Sequence, residues 1–80
     1  MKWKEVPAAI AEMELGNLTS EQLAVVRHLA MAAETAYDER ARLTTVDESS
    51  KEIWTGCADA SQGLWSRVRE ERQSREELAA

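Results

Sequence analysis

Apolar residues recur along this chain at helical spacing in three stretches, and most of the remainder is charged or polar. Val6, Ile10 and Met13 lie three and four apart, the spacing of one helix face. Pro7 suits the first turn, where a missing N–H costs nothing, and Gly16 offers a left-handed C-terminal cap. Such a helix is too short to persist alone and must dock on something. Trp3 is placed to anchor its entry.

The second stretch has the clearest start signal. Thr19 and Gln22 have capping-box spacing, and Leu18 and Leu23 stand where a hydrophobic staple puts them. Glu21 adds negative charge where the helix dipole favours it. Leu23, Val26, Ala30, Ala33 and Tyr37 then follow a 3,4,3,4 pattern, predicting helix from Ser20 to about Leu43. Val25, Leu29, Ala32 and Ala36 are read as widening that apolar face, enough to serve both a core and a partner. The alanines predict close approach of a neighbouring helix.

Thr44-Thr45 breaks the pattern, and Thr44-Thr45-Val46 is the one β-leaning triplet. Thr45 with Glu48, or Ser49 with Glu52, can cap a third helix, so its start is open by one turn. Ile53, Cys57, Ala60 and Leu64 form one row; Trp54, Ala58, Ser61, Trp65 and Val68 form a second beside it. Gly56, Ala60 and Gly63 share a side, which predicts tight helix contact or a break at Gly63. From about Arg69 the residues are almost all charged or polar. Arg67 with Glu71, Glu71 with Arg75 and Arg72 with Glu76 are opposite charges four apart, giving local helix support. Residues 69–80 read as a solvated helical extension that frays.

The expected fold is therefore all-α: one domain over residues 1–80, a compact bundle of three helices, or four if Gly63 breaks the third. The two long helices are expected to run antiparallel. Eighty residues permit one domain, and a domain this small buries about 60–65% of its unfolded surface. One cysteine and one histidine supply neither an internal disulfide nor a four-ligand zinc site, leaving helix packing or self-association to stabilise the fold. A lone free cysteine fits a reducing cytoplasm. The charged start before Pro7 does not read as a signal peptide. The longest uncharged run is seven residues, Ala60 to Ser66, far short of the roughly 20 that a membrane span needs.

The net charge of −5 disfavours nucleic acid and anionic membrane as partners and favours a basic protein surface. Cys57 and His28 are the only Cys/His pair, and Cys57 falls in an apolar row, where a thiol is usually a small core residue. His28 reads as partly exposed and non-catalytic. The glycines match no phosphate loop, and the carboxylates have no calcium-loop spacing. No catalytic residue, cofactor or metal site is expected, and the chain reads as a non-enzyme.

Binding is expected instead. From Glu34 to Asp59 there are seven acidic residues and three basic ones, a net charge of −4 around one helical turn. Asp38, Glu39, Asp47, Glu48 and Glu52 are the candidate contacts to a basic partner. Trp54 and Trp65, 11 apart and close to three turns, lie on one side of the third helix. If that side is only partly covered, it is a second candidate surface of the kind hot spots favour. Arg67, Arg69, Arg72 and Arg75 suggest nucleic-acid binding, but Glu70, Glu71, Glu76 and Glu77 are interleaved and cancel them.

No motif carries a family resemblance. In length, acidity and lack of catalytic residues the chain is similar to small phage inhibitors such as anti-CRISPR proteins, which implies occlusion of a basic nucleic-acid channel. That analogy rests on bulk properties, and fold-level likeness alone does not fix function. The alternatives are nucleic-acid binding through the arginine-rich C-terminal helix, and a helical adaptor or subunit that homodimerises.

Overall fold

A computed structural model describes residues 2–43 and 47–79. A 3-10 turn at Trp3–Glu5 leads into α1 (Val6–Ala11), followed by α2 (Ser20–Ala41) and α3 (Glu48–Ala79). No strand occurs among the described residues. The class is all-α, with α1 and α2 both packed on α3.

The capping box at the start of α2 forms as expected. Gln22 N–H donates to Thr19 Oγ1 at 3.1 Å, and Thr19 N–H donates to Gln22 Oε1 at 2.9 Å. The start of α3 differs from both expected boxes. The cap residue is Asp47, whose Oδ1 accepts from Ser50 N–H at 2.8 Å. Ser49 is already inside the helix, and Thr45 lies outside the described residues.

One glycine expectation fails, and one of the two alternatives at Gly63 drops out. Gly16 is not a left-handed cap, since no glycine has positive φ among the described residues. Helix α1 ends earlier, at Ala11, and its Ile10 carbonyl accepts from an arginine of α3 (below). Nor does Gly63 break α3, which continues to Ala79. A Cβ at Gly63 would meet nothing within 4 Å, so the residue costs helix propensity without forcing a kink. Gly56 is different: a Cβ there would sit 3.4 Å from Pro7 Cγ, and its small size lets α1 lie close to α3.

The core forms along Leu23, Ala30 and Leu15 on one side and Leu64 and Val68 on the other, with Ile10, Leu18, Val26 and Trp65 packed around it. On α3 the buried seam is Cys57, Ser61, Leu64 and Val68, at steps of 4, 3 and 4. It runs between the two rows legible in the sequence and takes members from each. Ser61 is fully buried yet satisfied, because its hydroxyl donates to Cys57 O one turn earlier at 2.8 Å. Small residues on the seam (Ala30, Ala41, Ala58, Ser61) let α2 and α3 lie close.

The molecule is elongated, not compact. Its extents are 51 × 21 × 15 Å and its radius of gyration is 14.3 Å, against about 11.6 Å for a compact domain of this length. The cause is α3 itself: 32 residues at about 1.5 Å rise span roughly 48 Å. No described helix is long and apolar enough to cross a membrane.

Candidate protein-binding site

The carboxylates singled out in the sequence gather where α2 ends and α3 begins. Glu48, Glu52 and Asp59 stand four and seven apart on α3, a single row at the helical period. Asp59 and Gln62 line an open cleft of about 330 Å³ with Glu34, Thr35, Asp38, Glu39 and Arg42 from α2 and its cap. The cleft's one cation is engaged: Arg42 Nη2 lies 2.8 Å from Asp38 Oδ2, an exposed pair of little energetic weight. Glu34 accepts a hydrogen bond from Trp65 Nε1 at 3.3 Å. Among the described residues, Glu39, Glu48, Glu52 and Asp59 form no ion pair. All four are exposed, so this side of the molecule carries unneutralised negative charge.

Asp47 has a second job. The Ser50 backbone N–H, followed by the Ser50 side chain, stabilises its carboxylate and lowers its pKa. Its charge belongs to the start of α3 as much as to any contact surface.

Neither tryptophan of α3 forms an open patch. Trp54 is half-buried: Trp3 meets it edge-on at 4.7 Å between ring centroids, Tyr37 stacks on it at 5.9 Å, and the Arg40 guanidinium lies 5.6 Å from its centroid. This cluster pins the N-terminal turn, the end of α2 and the start of α3 to one another. Trp3 is thus the anchor the sequence suggested. Trp65 is half-buried against the core, bonded to Glu34, with Arg69 6.0 Å from its ring centroid. The side they share faces α2.

The arginines of α3 divide into two groups that the sequence could not separate. Arg67 donates to Ile10 O and Met13 O, both at 3.1 Å. Arg75 donates to Leu15 O and Gly16 O, both at 3.3 Å, and pairs with Glu71 at 3.0 Å. These two clamp the α1–α2 connection. Arg75 stands seven residues after Val68, on the same seam, so part of the expected solvated extension is docked. Arg69 and Arg72 instead line a cleft of about 450 Å³ with Arg27, Gln73 and Glu76, and Arg27 Nε is buried there without a partner.

Cys57 is fully buried, and burial pushes its thiol pKa up. His28 is exposed on α2. Among the described residues, no three His, Cys, Asp or Glu side chains converge as metal ligands.

The sequence reading also missed a surface. Val25 and Leu29 are 58% and 62% exposed, and Ala32 and Ala36 are exposed with them. At 100° per residue these four lie opposite Leu23, Ala30 and Ala41, so they do not widen the core face but form a second one. Comparison with protein-family models, with curated proteins and with solved structures finds no match for this chain.

Proposed function

We propose that this is a non-enzymatic protein-binding protein, built as two long antiparallel helices braced by α1, that engages a basic partner surface through its carboxylate side. The supporting observation is that α2 and α3 bring Glu39, Glu48, Glu52 and Asp59, exposed and without ion pairs, to one side of the molecule. Asp38 and Glu34 extend that side, although each already has one partner. The antiparallel sense is supported by three contacts. Tyr37, late in α2, stacks on Trp54, early in α3; Glu34 bonds Trp65 further along; and Ser20, at the start of α2, lines a cleft with Arg72 and Arg75.

A rod with negative charge along one side fits a groove lined with arginine and lysine, where nucleic acid would otherwise lie. Rim charges of this kind act mainly on association rate and register. The mode of action is occlusion: the partner's groove is filled and its nucleic acid excluded. An inhibitor of the class to which phage anti-CRISPR proteins belong would work in this way, in the cytoplasm where such targets reside. Trp54 and Trp65 then support the surface from beneath instead of forming the contact.

A second reading has one observation in its favour. Arg27, Arg69 and Arg72 share a cleft with a single carboxylate, Glu76, and Arg27 Nε has no partner. An anion, including a nucleic-acid phosphate, would satisfy it. The experiment that separates the two captures a partner from a lysate and measures its association rate across salt concentrations. The comparison is between Asp38→Asn/Glu39→Gln/Glu48→Gln/Glu52→Gln and Arg69→Gln/Arg72→Gln, with Asp47 left intact as the cap. The acidic reading expects the carboxylate variant to associate several-fold more slowly, with a flatter salt dependence, and the arginine variant to match wild type. The reverse order, together with duplex binding lost only in the arginine variant, supports the second reading and rejects the first.

A further inference from the structure

The chain has seven arginines, and four of them are engaged. Arg42 pairs with Asp38, Arg75 pairs with Glu71, Arg67 holds main-chain carbonyls, and Arg40 lies over the Trp54 ring. The other three, Arg27 of α2 with Arg69 and Arg72 of α3, converge on one cleft of about 450 Å³. Among the described residues none of the three forms an ion pair. Glu76, the one carboxylate lining the cleft, stands four residues after Arg72, the spacing of a helical ion pair, yet it makes none. Arg27 Nε is buried without an acceptor. Two independent observations thus meet here. Like charges gather without neutralisation in a chain that has 15 acidic residues to offer, and a buried donor is left unsatisfied, which is unfavourable.

We infer that this cleft binds a compact phosphate-type dianion, as the free ion or as the phosphate of a small organic monoester. Three guanidiniums and one carboxylate leave a net +2 in the cleft, which balances the charge of about −1.5 to −2 on a phosphomonoester at pH 7. The planar fork of arginine offers paired N–H donors that match phosphate oxygens. Arg27 is half-buried and forms the inner wall, and an oxyanion drawn in between α2 and α3 supplies the acceptor that its Nε lacks. Arg69 and Arg72, three apart on α3 and less enclosed, close on the same group from the other helix. The volume falls within the roughly 300–1,000 Å³ of small-molecule sites. A duplex fits less well. It carries a charge about every 1.7 Å of its axis, and would lay further phosphates along Glu76 and along Glu77, which holds the Gln73 amide at 3.4 Å. A single phosphate group sits among the guanidiniums without following those carboxylates. The inference does not rest on the reading proposed for the carboxylate side, and in the arginine cleft it puts a compact ligand in place of a duplex.

Titration of the isotope-labelled full chain, followed by NMR at the arginine Nε–H resonances, tests it. The probes are inorganic phosphate and glycerol phosphate, each against sodium chloride of equal ionic strength. The expected result is a saturable shift at Arg27, Arg69 and Arg72 and none at Arg42. Arg69→Gln/Arg72→Gln should weaken binding by about tenfold or more, the loss of at least one charge-assisted bond. Arg27→Lys, which keeps the charge and removes the fork, should weaken it by about tenfold. Arg42→Gln removes a unit of positive charge outside the cleft and should leave the affinity unchanged. Circular dichroism checks that each variant keeps its helical signal. Should Arg27→Lys lose it, the Arg69→Gln/Arg72→Gln pair decides alone, since both side chains lie outside the core. Tighter binding of glycerol phosphate supports the site with an organic monoester as its ligand, and equal binding supports it with the free ion. Shifts that rise linearly with concentration, that chloride reproduces, or that appear equally at Arg42 overturn the inference, because the arginines then feel ionic strength alone. Affinity unchanged in Arg69→Gln/Arg72→Gln overturns it as well. A short DNA duplex that binds more tightly than both probes and displaces glycerol phosphate overturns the compact ligand in favour of nucleic acid.

Discussion

Arg67 is the residue whose loss should cost this fold most among its charged side chains. Its guanidinium gives two hydrogen bonds to main-chain carbonyls, Ile10 O and Met13 O, each 3.1 Å long, and it is half-buried. Helix α1 has only six residues and no capping glycine, and these bonds tie the Ile10 carbonyl of its last turn and the Met13 carbonyl just beyond it to α3. A positive group at a helix C-terminus is also favoured by the dipole. Hydrogen bonds from a charged donor are worth about 1.5–3 kcal/mol each when well placed. One of the two lies at the exposed rim and counts for less, so the pair is worth about 2–3 kcal/mol. Arg67→Met keeps the aliphatic stem and removes both bonds. For a domain of this size about 1 kcal/mol moves Tm by 4–8 °C, so the variant should melt roughly 10–20 °C lower. Arg69→Met, whose partner is only the Trp65 ring at 6.0 Å, should lose about 1 kcal/mol or less. Thermal melts followed by circular dichroism at several protein concentrations, to separate folding from self-association, measure both. If Arg67→Met and Arg69→Met melt within a few degrees of each other, the clamp does not stabilise the fold and the reasoning is wrong.

Thr19→Ala removes the side-chain acceptor for Gln22 N–H and should cost about 0.5–2 kcal/mol by urea unfolding; an unchanged midpoint would show that the box contributes nothing. Gly63→Ala should stabilise by about 0.5–1 kcal/mol, because α3 runs helically through an open site. Gly56→Leu should instead destabilise, because the larger side chain runs into Pro7 3.4 Å from the first added carbon, and equal effects at the two glycines would contradict the packing of α1. Asp47 has a folded-state pKa below its ordinary value, so its contribution is present above the unfolded pKa and lost as pH falls through the folded one. The stability difference between wild type and Asp47→Asn should therefore be present at pH 7 and vanish at the acid end of a titration; a gap of the same size at pH 2 would rule out the charge at this cap. Cys57, buried with a raised thiol pKa, should react with a thiol reagent at the rate of global unfolding, and rapid native labelling would contradict its place in the seam.

Local chemistry was legible along the chain because it depends on neighbours three or four residues away. Thr19 and Gln22 identify the start of α2 since both halves of the box lie within one turn. The row Leu23, Val26, Ala30, Ala33 and Tyr37 faces the core, as its period indicates, and Cys57 reads correctly as a core thiol. What periodicity cannot decide is which of two apolar rows on one helix faces inward. The residues Val25, Leu29, Ala32 and Ala36 have the same spacing and chemistry as the row opposite. Only the seam Cys57, Ser61, Leu64 and Val68 on α3 selects between them, and it is remote in sequence. The same limit applies to charge. Arg67, Arg69, Arg72 and Arg75 look alike as letters, yet Arg67 and Arg75 reach carbonyls 54 to 60 residues away, while Arg69 and Arg72 line a cleft. Gly16 offered a cap that the chain does not use, because α1 ends five residues earlier, at Ala11. Sequence spacing thus set the three helices and the start of α2. Tertiary packing decided which apolar row became core and which became surface, because burial depends on what lies opposite a residue in space.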